Sequence, residues 1–253
     1  MKILVLESSG MVASVAVVTE EKLVGEYTTN FKKTHSQTLL PMMDTLLKMI
    51  GMPIREMDAI AVSGGPGSFT GLRIGSATAK GLGLALNIPI ISVPTVDAIA
   101  YNLFGTDAVV CPLMDARRNQ TYTGLYVFED DQMKCISGQK AVMLSEIVDE
   151  INQLGRKVIF LGDGVPGFKA YIEEHIQVPH SYAPIHLSQQ RAGALVHWHF
   201  NIIMKADMNQ QRIISRIISA FRRQKGNWLP KKGRKRHDHK KNGAQGSAAG
   251  SED

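Results

Sequence analysis

The run Gly64-Gly65-Pro66-Gly67-Ser68-Phe69-Thr70-Gly71-Leu72-Arg73-Ile74-Gly75 limits most strongly what this chain can fold into. The apolar run Ala59–Val62 leads into it, and a stretch rich in Gly and Ala follows to Leu86. This order predicts a buried strand, a glycine turn and a helix from about Thr70. Free N–H groups at such a helix start, together with the helix dipole, form an anion site. The run lacks the Lys-Ser/Thr of a P-loop, and its spacing is not the dinucleotide fingerprint. A tight turn followed by a close-packed helix is the other reading. The helix carries Gly71, Gly75, Gly81 and Gly83, and each glycine costs up to about 1 kcal/mol relative to Ala. That composition is tolerable where another backbone must come close.

The flanking segments complete a pattern. Lys2–Leu6, Ala13–Val18 and Leu23–Thr29 read as three short strands of an antiparallel meander. His35–Ile50 reads as a helix, with Leu39, Leu40, Met43, Leu46, Leu47 and Ile50 on one stripe. Thr34 or Ser36 is placed to cap it, Pro41 falls early, and Gly51 stops it. Ile88–Val93 is a strand and Val96–Asn102 begins a helix. The second half repeats the order: strands at Ala108–Met114, Thr121–Phe128 and Cys135–Lys140, a helix at Leu144–Asn152, a strand at Val158–Leu161, and a helix at Phe168–His175. Two meander-plus-helix units in tandem predict an α/β, actin-like duplicated architecture.

Composition excludes several classes. Apolar residues make up 44% and charged residues 21% of the 253, ordinary values for a soluble globular chain. No run approaches the roughly 18 apolar residues of a membrane span. The apolar start Ile3–Leu6 is interrupted by Glu7, too early for a signal peptide. Cys111 and Cys135 have no metal-ligand spacing and set no disulfide framework. The expected location is cytoplasmic. The net charge of +6 is unevenly spread: residues 196–253 hold 13 Lys/Arg and 4 Asp/Glu, leaving 16 and 19 for residues 1–195. The basic character therefore belongs to the tail and not to the folded part.

Three other constellations carry chemistry. Glu7-Ser8-Ser9 ends the first strand, where an acidic residue can position a metal or water, or simply close a turn. With Gly65, Gly67 and Ser68 it forms a candidate vestigial nucleotide or anion site. Asp115, Arg117 and Arg118 fall between two strands, either as a ligand site or as an Asp–Arg bridge at a hairpin. His35 stands alone at a helix start, so capping or surface exposure is its default and no metal site is expected. No Gly-x-Ser-x-Gly elbow occurs, and no catalytic residue is assigned.

Taken together, Ile3–Ser9, Lys33–Pro41, Gly65–Gly75 with Ala79-Lys80-Gly81, and Pro112–Tyr122 resemble the TsaB (YeaZ) family, over about three quarters of the chain. The resemblance implies an actin-like (ASKHA) two-lobed fold without catalytic activity of its own. It implies dimerisation with the catalytic subunit TsaD, which transfers threonylcarbamoyl to adenosine beside the tRNA anticodon, and association with the ATPase TsaE. Transfer RNA is then met only through the complex. The implied contact uses the two helices, with His35, Leu39, Leu40, Met43, Leu72, Arg73, Ile74, Ala77 and Lys80 at or near it. No cofactor is required. Leu6-Glu7-Ser8 stands where the family usually has Ile-Asp-Thr, which counts against ATP or ADP binding. A homodimer in the partner's absence stays open.

The expected domains are an N-terminal lobe, 1–103, an incomplete C-terminal lobe, 104–195, and a largely disordered basic tail, 196–253. The resemblance stops near Leu195. Back-translated in a reading frame shifted back by one base, Ser215–Leu229 can encode a segment close to how chains of the family it resembles end, so a frameshift near Leu195 is expected. Two rivals to the partner subunit remain at this point. One is an actin-like ATPase or glycoprotease-like hydrolase using the glycine turn. The other is a basic RNA-binding protein acting through its tail, with Arg212–Lys225 as an amphipathic helix.

Overall fold

The first strand is followed by two more that fold back beside it, and this meander starts each half of the molecule. The computed structural model describes residues 1–31 and 34–195. In the first lobe β1 (Lys2–Glu7), β2 (Ala13–Thr19) and β3 (Leu23–Thr29) precede α1 (His35–Met49), β4 (Ala59–Ser63), α2 (Phe69–Leu86), β5 (Ile90–Val93) and α3 (Thr95–Ala100). In the second, β6 (Val109–Asp115), β7 (Gln120–Glu129) and β8 (Gln132–Met143) precede α4 (Leu144–Leu154), β9 (Val158–Leu161), α5 (Val165–His175) and β10 (His180–Tyr182). The expected elements form, with ends shifted by a few residues. Unforeseen was β10, whose three residues His-Ser-Tyr carry no apolar alternation.

The sheet orders are β3-β2-β1-β4-β5 and, read from the other edge, β8-β7-β6-β9-β10. Meander strands pair antiparallel in both, and the later strands pair parallel. The fold is a duplicated, actin-like α/β architecture. Each sheet has five strands among the described residues. The expectations for residues 196–253, including the basic tail, its amphipathic helix and the frameshift, lie outside the described residues.

One face of the first sheet is covered by α1 and α2. Leu39, Met42, Met43, Leu46 and Leu47 of α1 are buried against Leu4, Leu6, Val15 and Val17. Thr34 stands at the cap position before α1 but its hydroxyl makes no capping bond, and Ser36 lies within the helix, so neither expected cap operates as one. Gly51, at φ 64°, takes the left-handed conformation that ends the helix. In the second lobe Ile147, Val148 and Ile151 of α4, with Phe168 and Ile172 of α5, cover Val109, Cys111 and Leu125.

The two lobes exchange their last segments. Val96, Ile99 and Ala100 of α3 pack on Val110, Met114, Tyr126 and Leu161 of the second lobe. The Tyr126 hydroxyl donates to Asp97 Oδ1 at 2.5 Å. In return, Ala192 and Leu195, in the helical residues 192–195, pack on Ile3, Val5, Ala16 and Val18 of the first lobe. Arg191 reaches Glu26 at 2.6 Å, the Gly193 N–H donates to the same carboxylate, and the Ala192 N–H donates to Ser14 Oγ.

Leu39 is 1% exposed and Leu40, beside it, 47%. Leu39→Ala is expected to cost about 2–5 kcal/mol, and Leu40→Ala about 0.5 kcal/mol or less. Urea denaturation of both variants checks this, and equal midpoints would contradict the assigned core.

Candidate functional site

The turn after β1 and the start of α2 come together at the C-terminal ends of β1 and β4. Ser68 caps α2, its hydroxyl accepting from the Gly71 N–H at 3.3 Å. The Ser68 N–H donates to the Ser9 carbonyl at 2.6 Å. The Ser8 hydroxyl donates to the Gly71 carbonyl at 2.9 Å. These contacts require bare glycine. A Cβ on Gly71 would lie 2.0 Å from the Ser8 carbonyl oxygen, and one on Gly67 2.3 Å from that of Ser9. On Gly75 it would lie 2.4 Å from Ser8 Oγ. The close approach that the helix composition demands is thus to the chain's own first turn.

Glu7 is buried, and its carboxylate folds back to accept the N–H and hydroxyl of Ser9. Burial raises its pKa to about 7, against the opposing effect of the two Ser9 bonds. His35 joins the same turn: its Nε2 is 2.8 Å from the Gly10 carbonyl. The default of a capping or solvent-facing histidine is corrected, because the ring ties α1 to the turn.

Glu7, Ser8, Ser9, Gly67 and Ser68 therefore come together, bonded to or packed on one another, while the Gly65 carbonyl accepts the Thr95 N–H at 2.9 Å. Asp115, Arg117 and Arg118 form the β6–β7 turn, where Arg117, Arg118 and Asn119 take φ of 67°, 54° and 59°. Asp115 accepts the Arg117 backbone N–H at 2.7 Å. The expected side-chain bridge is thus a backbone bond, and both arginines are exposed. No group of three or more His, Cys, Asp or Glu able to hold a metal occurs among the described residues, and no helix among them is long and apolar enough to cross a membrane.

The second lobe adds two residues that sequence reasoning missed. Asp163 follows β9 between Gly162 and Gly164, the counterpart of the glycines after β4. Its pKa is raised, chiefly by burial. Gln190 is 1% exposed and lies against Gly10, where a Cβ would sit 2.6 Å from its Nε2. The Gly-Asp-Gly after a strand was a usable signal for Asp163. Nothing in the sequence marks Gln190.

A second surface is formed by the outer faces of α1 and α2. Of the expected contact residues, Leu40, Arg73, Ala77 and Lys80 are exposed, and His35 and Ile74 are partly buried. Leu39, Met43 and Leu72 are 1%, 8% and 1% exposed. These three side chains belong to the lobe's core, beneath the outer face. Phe69 and Leu84, 58% and 86% exposed, extend the outer face of α2, and Arg73 stacks 4.3 Å over the Phe69 ring.

A family model described as "TsaD: tRNA N6-adenosine threonylcarbamoyltransferase" matches residues 22–196. The "tRNA threonylcarbamoyladenosine biosynthesis protein TsaB" of Bacillus subtilis is 35% identical over 174 residues, 69% of this chain and 76% of that protein. The chain belongs to the TsaB family. The Escherichia coli protein of the same name is 31% identical over 170 residues, 65% of this chain and 72% of its own length. The solved structure "YeaZ from Pseudomonas aeruginosa" superposes with a TM-score of 0.67 at 26% identity, over 81% of this chain and 92% of that one. The TsaB-family relationship covers both lobes and explains why the motifs noted above occur in one order.

The packing of the turn generates two testable outcomes. Gly71→Ala is expected to destabilise by about 2 kcal/mol or more, since its methyl meets backbone. Gly81→Ala, with nothing within 4 Å of the added carbon, is expected to stabilise by up to about 1 kcal/mol; denaturant midpoints test the pair. The raised folded-state pKa of Glu7 means that folding favours its protonated form. Its contribution is complete below the ordinary carboxylate range and lost as pH rises through about 7. Stability should therefore fall between pH 5 and 8 by up to about 3 kcal/mol. Glu7→Gln should flatten that profile, and an unchanged slope would contradict the assignment.

Proposed function

We propose that this chain is a non-catalytic partner subunit in the biosynthesis of threonylcarbamoyladenosine on tRNA. It pairs with a TsaD-type catalytic subunit through the outer faces of α1 and α2, and a TsaE-type ATPase joins the pair. Transfer RNA is engaged through the complex, in the cytoplasm. The relatives named TsaB support the pathway. The observation that carries the partner role is the outer face itself. Leu40, Phe69 and Leu84 are large apolar side chains left exposed, and Ala77 and Gly81 lie between them on α2 as small residues. An apolar patch interrupted by small side chains admits another helix at short range, with Arg73 and Lys80 at its margin.

The glycine turn supports the absence of a catalytic role for the same chain. Ser8, Ser9 and Ser68 are spent on bonds within the turn, and Gly67 and Gly71 abut the Ser9 and Ser8 carbonyls. A nucleotide phosphate at this helix start would have to displace those bonds. The chain accordingly requires no ATP or ADP of its own.

Size-exclusion chromatography with the Bacillus subtilis or native TsaD subunit tests the pairing. The parent chain is expected to co-elute. Leu40→Asp and Ala77→Arg, both on exposed positions, are expected to abolish co-elution while the far-ultraviolet circular dichroism stays unchanged. Retained co-elution of both variants would overturn the interface. A self-associating parent chain that the same substitutions render monomeric would place a homodimer on this face in the partner's absence.

A further inference from the structure

Four strands form the outer edges of the two sheets, β3 and β5 in the first, β8 and β10 in the second. An edge strand carries a row of unpaired N–H and C=O groups, which folds guard by brevity, lysine, proline or a bulge. β5 has four residues and β10 three. β8 carries Lys134 and Lys140, and shifts in register interrupt its pairing with β7. β3 differs. Its seven residues, Leu-Val-Gly-Glu-Tyr-Thr-Thr, include no Lys or Pro. The shift in its pairing with β2 falls near its start, so Gly25–Thr29 runs in regular register.

This regular stretch stands beside a groove. At Gly25 the helix is close: an added Cβ would meet the side chains of Leu46 and Ile50 of α1 at 2.9 and 3.2 Å. Further along, Tyr27, Thr29 and Phe31 face Thr38, Pro41 and Thr45 of α1 across a cavity of about 660 Å³. Both walls follow from periodicity. Alternate residues of β3 share one face, and residues three and four apart share one side of α1. Tyr27 is 43% exposed and Phe31 69%. The opposite face of the strand is already occupied, with Thr28 bonded to Ser14 and Glu26 to Arg191, both at 2.6 Å. Among the described residues no charged side chain lines the groove.

We infer that β3 and α1 form a docking groove for an extended, uncharged segment of a partner polypeptide, which joins the first sheet as a sixth strand. Main-chain pairing to the open edge selects an extended chain, because a helix has no free N–H and C=O row to offer. Alternate side chains of the added strand then enter the cavity. The lining sets their chemistry. The rings of Tyr27 and Phe31 and the ring of Pro41 suit apolar side chains, and the threonine hydroxyls suit small polar ones. A Lys, Asp or Glu of the segment would enter without an opposite charge to meet it, so charge complementarity selects an uncharged stretch.

Fluorescence anisotropy on the full chain tests the groove. The probe is a labelled, end-blocked heptapeptide that alternates Val with Thr, and it is expected to bind saturably. The same peptide N-methylated at every residue cannot donate main-chain hydrogen bonds, and is expected to bind at least about tenfold more weakly. A peptide with Lys and Glu in place of Val is expected to lose affinity to the same extent. Thr45→Arg and Tyr27→Ala, both at exposed groove positions, are each expected to weaken binding about tenfold. Either one keeps the test decisive if the other does not fold. Leu84→Ser, on α2 and outside the groove, is expected to bind as the parent does, which separates the groove from the pairing face proposed above. A parent chain that binds no peptide, equal binding of the N-methylated peptide, or equal binding by both groove variants would overturn the inference. A parent chain that is dimeric by size-exclusion chromatography, and that Thr45→Arg renders monomeric, would assign the groove to a second copy and overturn the partner segment.

Discussion

The contact on which the rest depends is backbone against backbone, between the turn after β1 and the first turns of α2. Ser8 and Gly71 meet so closely that no side chain fits between them. That contact fixes where α2 lies along the sheet. It thereby fixes which faces of α2 turn inward and which outward. His35 repeats the fastening from α1, through the Gly10 carbonyl. One short turn thus positions both helices, and the surface they present is a consequence of its packing.

The second lobe uses the same device with different chemistry. Gly162 lies where a Cβ would be 2.2 Å from the Leu113 carbonyl, and the Gly164 N–H donates to that same oxygen. A glycine after the fourth strand of the lobe again closes on the end of the first strand. At the matching strand ends stand Glu7, buried, and Asp115, exposed. The duplication is therefore one of backbone, while burial sets the two carboxyl groups apart. The exchange of α3 and residues 192–195 between lobes makes each sheet depend on the other half for cover.

Much of this was legible in the residues. Strands and helices followed from apolar periodicity, and the repeated order of elements announced the duplication before any similarity in residues did. Three things were hidden. The stripe on α1 predicted apolarity but not depth, so Leu39 and Leu40 looked alike although one is core and the other surface. The glycines of α2 signalled close approach without saying to what, and the nearest backbone proved to be the chain's own. Gln190 meets Gly10 across 180 positions of sequence, and no local pattern encodes such a meeting. Helix periodicity ranks positions around an axis; it does not reveal what stands opposite.

Gly81 separates the two demands on α2. Gly71 faces backbone that excludes a Cβ, and Gly75 and Gly83 face the Ser8 and Ile90 side chains at 2.4 and 2.9 Å, so packing within the lobe accounts for them. Gly81 faces open space, and its cost of about 1 kcal/mol relative to Ala finds no compensation within the lobe. It lies one turn beyond Ala77 on the exposed side of the helix. A small residue retained where the fold would be steadier with a larger one is accounted for by a surface that must come close to something else. The inward glycines make α2 fit its own sheet, and the outward pair of Ala77 and Gly81 is where the proposed partner helix has room to approach.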